Sequence, residues 1–255
     1  MSYRFYNHFD STIITLTSKL LWIAGYHQVK LFSSLNLTKG TPENNNLIIF
    51  GQDHDAKYGS SMMSNLPPEA VGVMDRGFAG LEFIKRLSEE NKFFVLRIKN
   101  NWKLEFDKKN ELIKVGTTKN SGLYRVVSFC DMETKTEYRL VTNLPTSNSL
   151  ISPDERGEEA GVSNEEVMEI YRCRWGVELL WKFLKMHLKL DKLITKNVNG
   201  ITIQIYSSLI AYLILQLIEI PEQWGDKLID KYRYLQSCMN KDTSYIHWID
   251  GILPC

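Results

Sequence analysis

Cysteine is scarce in this 255-residue chain, and Cys130, Cys173, Cys238 and Cys255 form no C-x-x-C pair. That spacing gives neither a zinc site nor a disulfide framework, and reduced thiols in a cytosolic protein are the simplest reading. An excess of one charge is missing too. Lys and Arg number 31 against 30 Asp and Glu, so no global basic field announces nucleic acid. The N-terminus, MSYRFYNHFDST, lacks the apolar core of a signal peptide. One apolar run, residues 201–220, approaches membrane-spanning length, but Gln204, Ser207, Ser208, Gln216 and Glu219 interrupt it. A buried helix is the expectation there, with no membrane association. No internal repeat or low-complexity tract stands out. The length suffices for a sizeable core, and the whole reads as a cytoplasmic globular protein.

What the chain does carry is unevenly placed charge. Residues 154–169 hold seven acids and one arginine, whereas residues 171–200 hold seven Lys or Arg against Glu178 and Asp191. A local basic face follows. It centres on residues 171–185, YRCRWGVELLWKFLK, a run with no proline and one glycine that predicts a single long helix. Ser163, with Glu166 three residues on, supplies a capping box upstream. On a helix turning about 100° per residue, Tyr171, Arg174, Glu178 and Lys185 fall within about 60° of arc, and Lys182 extends the stripe. Val177, Leu180, Leu184 and Leu188 take the opposite face. One carboxylate inside a basic stripe suits a metal ion held against a phosphate backbone. The same stripe also fits a solvated face, since Arg174–Glu178 and Glu178–Lys182 are both i,i+4 pairs.

Along the rest of the chain, residues 3–17 are rich in aromatic and β-branched residues and predict a strand, turning near Asp10–Ser11 into a second. Asp10 is costly among strand-formers unless it is paired or binds a cation. It fits equally a turn aspartate followed by Ser11 and Thr12. Further strands are predicted at 27–37, carrying Lys30, and at 47–51, with a turn over 40–46 between them. Asp53, His54 and Asp55 follow in a polar loop and read as loop and cap residues. A short helix at 60–66 closes at Pro67–Pro68. Residues 70–74 then form a short buried strand ending in Asp75–Arg76–Gly77–Phe78. That carboxylate lies where α/β enzymes place chemistry, or else caps a helix over 81–90. Residues 92–144 change to short alternating strands, with turns at Asn100–Asn101, Lys108–Asn110 and Asn120–Gly122. Within them Trp102 and Tyr124 either stack on bases or, more commonly for such residues, pack a sheet. After an acidic connection at 145–161 and the central helix, residues 197–219 predict a helix apolar nearly all round and therefore buried. A last helix is predicted over 224–239.

The order Tyr171, two residues, Arg174, three residues, Glu178, six residues, Lys185 resembles the Y-R-E-K signature of bacterial insertion-sequence transposases of the insertion-sequence-four family. Asp75–Arg76–Gly77–Phe78 resembles that family's second catalytic motif, and Asp10–Ser11–Thr12 with the β-branched run after it is similar to the first. Lys30 matches a lysine common at that point, and His54–Asp55 a His-Asp pair. The resemblance implies an α/β, RNase H-like fold: a mixed sheet with flanking helices and a β-strand insertion before the last catalytic helix. The core would occupy 1–91, the insertion 92–150, and the second part of the core with C-terminal helices 151–255. It further implies a DDE enzyme in which Asp10, Asp75 and Glu178 bind a pair of divalent cations, Mg²⁺ or Mn²⁺, for strand cleavage and strand transfer. Tyr171, Arg174, Lys182, Lys185, Arg76 and Lys30 would contact DNA. The implied partners are double-stranded terminal inverted repeats and target DNA, with a dimer assembled on them in the nucleoid. Family members carry an N-terminal segment that recognises those repeats. Because Asp10 lies so near the start, the expectation is either a shortened reading frame or DNA recognition provided elsewhere. The alternative is a catalytically idle DNA-binding or dimerising remnant that modulates a full-length relative.

Overall fold

Strand β1 (Tyr6–Thr15) is rich in aromatic and β-branched residues and pairs on both sides, and the rest of the sheet is laid against it. The computed structural model describes residues 6–16, 28–43, 46–51, 53–107, 112–116, 119–131, 135–146, 161–195 and 197–239. β2 (Gln28–Asn36) runs antiparallel to β1 along its length, and β3 (Thr41–Pro42) and β4 (Leu47–Phe50) both pair antiparallel with β2. On the other side of β1, β5 (Val71–Met74) and then β6 (Phe93–Arg97) add in parallel. Residues 75–92 between Met74 and Phe93 include α2 (Leu81–Glu89), the crossover a parallel pair requires. This is the mixed sheet of an RNase H-like α/β fold. Strands β7 (Leu104–Asp107), β8 (Leu112–Val115), β9 (Gly122–Cys130) and β10 (Glu137–Thr142) extend it antiparallel, in the order β6-β10-β9-β8-β7. Thus β6, grouped by sequence with the inserted strands, pairs directly with β5.

Two cores cover the two faces of the sheet. Phe9, Phe32, Met74, Phe94 and Leu96 pack with α1 (Gly59–Ser64) and α2 through Met62, Met63, Ile84 and Leu87. Val71, Val73, Val95 and Leu140 point the other way and meet Val167, Ile170 and Tyr171 of α3 (Asn164–Arg172). The period-two alternation of strands fixes these sides. Gly72 lies where a Cβ would fall 2.2 Å from the Met63 sulfur, so its lack of a side chain admits α1 close to β5.

Three expectations are corrected. β1 does not turn at Asp10–Ser11: it is one strand, because a full antiparallel ladder to β2 outweighs the local turn chemistry of Asp-Ser. The central helix is not one piece. It divides into α3 and α4 (Trp175–Met186), and at the junction Arg174 N–H bonds Tyr171 O, Gly176 N–H bonds Cys173 O and Val177 N–H bonds Arg174 O, all i→i−3 bonds of a tightened turn. The link over 40–46 holds the short strand β3. Residues 17–27, 108–111 and 147–160, where the predicted turn at Lys108–Asn110 and most of the acidic connection fall, lie outside the described residues.

The chain separates into two compact units, Met1–Trp181 and Lys182–Cys255, with the division inside α4. In the second, Leu215 and Ile218 pack with Phe183, Leu188, Leu228, Tyr232 and Leu235, which joins α5 (Val198–Leu217) to α6 (Leu228–Met239). α5 buries Ile201, Ile205, Leu209, Tyr212 and Leu215 but exposes Ile203, Ile210, Ile214 and Leu217. The expected all-round burial is therefore not found: helix neighbours cover one side only. α5 is also long and apolar enough to cross a membrane by length and composition.

Candidate active site

Parallel pairing of β1 with β5 sets Phe9 opposite Met74, so the next residue of each strand is a carboxylate, Asp10 and Asp75. β5 ends there while β1 continues, and the parallel ladder opens at that level. Phe9 and Met74 lie in the α1–α2 core; Asp10 and Asp75, one residue on, therefore face the α3 side. The same register places Leu96 beside Met74 and Arg97 beside Asp75.

Helices α3 and α4 bring the remaining groups. The predicted capping box forms: Ser163 Oγ accepts from the Glu166 N–H at 3.1 Å, and Glu166 accepts from the Ser163 N–H at 2.8 Å. Fixed by that cap, α3 delivers Tyr171, whose buried hydroxyl donates to Asp75 Oδ1 at 2.9 Å. Arg97 Nη1 stands 3.6 Å from the same oxygen, its guanidinium stacked 4.2 Å over the Tyr138 ring. Arg174, at the break between the helices, reaches Glu178 on the first turn of α4 at 2.5 Å. Asp75 is the N-terminal residue of the turn Arg76–Phe78 but makes no side-chain cap bond. Its carboxylate is engaged by Tyr171 and Arg97 instead.

The electrostatics centre on Arg174. Burial alone would depress its guanidinium, but Tyr171, Asp75, Glu178 and Asp10 around it raise it above its ordinary value. Burial pushes the Asp10 carboxyl up to about 6; Arg174 opposes this, and Glu178 and Asp75 add to it. Tyr171 is raised by burial and by Asp75. His8, fully buried two residues before Asp10, is held neutral with its pKa lowered to about 4. Burial is the first cause and Arg174 a lesser one, against the Cys173 backbone, which favours the charged ring. Neither His8 ring nitrogen makes a hydrogen bond of good geometry.

Among the described residues, no group of three or more His, Cys, Asp or Glu side chains could hold a metal ion as it stands. Asp10, Asp75 and Glu178 are all charge partners of Arg174. The donor set is nonetheless that of a hard divalent cation, three carboxylates. The buried Asp10 carboxyl, protonated more readily than usual, is a group that a cation would relieve.

Of the other sequence-predicted residues, Arg76 is exposed beside Asp75, and Lys182 is exposed on α4 within the second unit, where Lys185 also lies. Lys30 is 8% exposed, and its ammonium pairs with Asp55 at 2.5 Å and donates to the Asp53 carbonyl. Asp53 bonds Lys57 and Tyr58 within its own loop. Tyr124 packs in the core, edge-on to Phe94, and the partly buried Trp102 packs against it. Sequence reasoning missed Arg97 and the tertiary contacts of Asp55. Arg97 had one available signal, a cation at the end of the strand after the Asp75 strand.

Residues 9–214 match the family model described as Transposase DDE domain, a span that contains Asp10, Asp75 and Glu178. A Synechocystis sp. protein named as a transposase for insertion sequence element IS4SA is 53% identical over 241 residues, covering 94% of this chain and 68% of its own. One from Geobacillus stearothermophilus, named for element IS5377, is 26% identical over 81% of this chain and 55% of its own. A Sinorhizobium fredii transposase is 24% identical over 64% of this chain and 46% of its own. The chain thus spans about two thirds of the first relative and about half of the others. The family match and the Synechocystis relative agree with the fold and the site geometry, and the chain belongs to the DDE-domain transposases of bacterial insertion sequences.

Proposed function

We propose that this chain carries out divalent-metal-dependent DNA strand cleavage and strand transfer at insertion-sequence ends. The observation that carries the reading is the gathering of Asp10, Asp75 and Glu178 about one guanidinium, Arg174, at the open end of the β1–β5 ladder. Asp10, Asp75 and Glu178 would hold Mg²⁺ or Mn²⁺. Bound there, such ions activate a water or a 3′-hydroxyl and stabilise the leaving oxygen of an in-line displacement at phosphorus.

The chain's own residues prepare that chemistry. Tyr171 and Arg97 both engage Asp75 Oδ1, and Arg174 holds Glu178. Arg76, Arg174, Lys182 and Lys185 are the phosphate contacts of the reading; such contacts position DNA without reading sequence. Double-stranded terminal-repeat and target DNA, bound by a dimer formed on the DNA, complete it.

The test is Mn²⁺-dependent nicking of DNA bearing the terminal repeats of the element, with wild type beside Asp10→Asn, Asp75→Asn and Glu178→Gln. Cleavage by wild type and background levels in all three folded variants is the expected result. Salt-sensitive DNA binding without cleavage, undiminished in the variants, would instead favour the idle, modulating remnant.

A further inference from the structure

We infer that Asp55 is a positioning residue that fixes the spacing of Asp10 and Asp75 from the opposite face of the sheet. The inference rests on reading those two carboxylates as metal ligands. Strand alternation puts Ser11, the neighbour of Asp10, on the α1–α2 face, and there Ser11 Oγ donates to Asp55 Oδ1 at 3.0 Å. The other carboxylate oxygen, Oδ2, lies 2.8 Å from where a Cβ on Gly77 would stand, in the turn that directly follows Asp75. Asp55 therefore accepts from the side chain next to Asp10 and stands beside the turn that follows Asp75. Lys30 pairs with it at 2.5 Å, so this contact adds no net negative charge behind an already acidic site.

The arrangement also accounts for a glycine. Gly77 has no left-handed φ to require it. What excludes a side chain is the Asp55 carboxylate. Beyond Phe9 and Met74 the β1–β5 ladder no longer ties the two carboxylates, which repel, and residues that orient ligating carboxylates are worth about tenfold or more in metal affinity.

The test measures Mn²⁺ binding to the full chain by calorimetric titration, together with thermal unfolding. Removing Asp55 alone would strand the buried Lys30 ammonium, so the informative protein is the double variant Lys30→Met/Asp55→Leu, from which both charges leave. If Asp55 positions the site, the double variant folds yet binds Mn²⁺ about tenfold more weakly or worse. Gly77→Ala, which presses a methyl against Asp55, should weaken binding on its own. A folded double variant with wild-type Mn²⁺ affinity would overturn the inference and leave Asp55 as a counter-ion for Lys30. Should the double variant not fold, unchanged binding in Gly77→Ala overturns it alone. Wild-type protein that takes up no Mn²⁺ is a separate outcome: it sinks the metal-ligand reading itself, and this inference with it.

Discussion

Asp10 and His8 occupy one face of β1, two residues apart, and their burial acts in opposite senses. Asp10, raised from 3.8 to about 6, holds its proton more tightly in the folded protein than in the unfolded chain. Its contribution to stability is thus present below about pH 4 and lost as pH rises through about 6. His8, lowered from 6.5 to about 4, is kept neutral by the fold. Its contribution is present above about pH 6.5 and lost as pH falls through about 4. Displacements of this size are each worth up to about 3 kcal/mol, and they oppose one another over the same window. Metal-free wild type should therefore melt at a nearly level temperature between about pH 4 and 6.5, whereas Asp10→Asn should lose stability steadily as pH falls through that range. Scanning calorimetry at several pH values checks this; equal slopes in the two proteins would mean that Asp10 ionises normally. Tyr171→Phe acts at the same scale. It removes one donor from Asp75, an interaction of about 1–2 kcal/mol, and should reduce cleavage by about tenfold without abolishing it.

Among the elements, α3 shows most directly how a local signal fixes the site. Its capping box satisfies orphan N–H groups at Ser163 and Glu166, and the helix so anchored carries in its last turn the tyrosine that meets Asp75. Ser163→Ala should cost about 1 kcal/mol and lower the unfolding midpoint by about 2–4 °C, read by circular dichroism. That cap was legible in the sequence because it is written within four residues. So were Asp75 at the end of a short apolar run and the spacing of Tyr171, Arg174 and Glu178. The break after Arg172 was not: it needs no proline, and a tightened turn lets Gly176 lie 3.2 Å, measured from its would-be Cβ, from Leu35 on β2. Nor was the unbroken β1, since its pairing with β2 is long-range. Arg97 and Asp55 escaped for the same reason. Strand register and loop return bring them to the site, and neither is encoded in nearby spacing.

For the whole molecule, the near balance of 31 basic and 30 acidic residues leaves no broad field to draw in DNA. Attraction must then come from local charge. Three carboxylates, Asp10, Asp75 and Glu178, face two guanidinium groups, Arg174 and Arg97, so the metal-free site leans negative and repels a phosphate. Divalent cations bound to the same carboxylates would reverse that sign. DNA affinity should accordingly depend on metal as well as on salt. Fluorescence anisotropy with a labelled terminal-repeat duplex can separate the two effects, using Ca²⁺, a hard cation of the same oxygen preference, as the added ion. Affinity should rise on adding Ca²⁺ to wild type and fall steeply with added monovalent salt. In Asp10→Asn/Asp75→Asn the Ca²⁺ response should vanish while the salt response persists, because the cations proposed to contact DNA, Arg76, Lys182 and Lys185, remain. A Ca²⁺ response equal in both proteins would place the ion's effect outside this site and leave the carboxylates with no part in holding DNA.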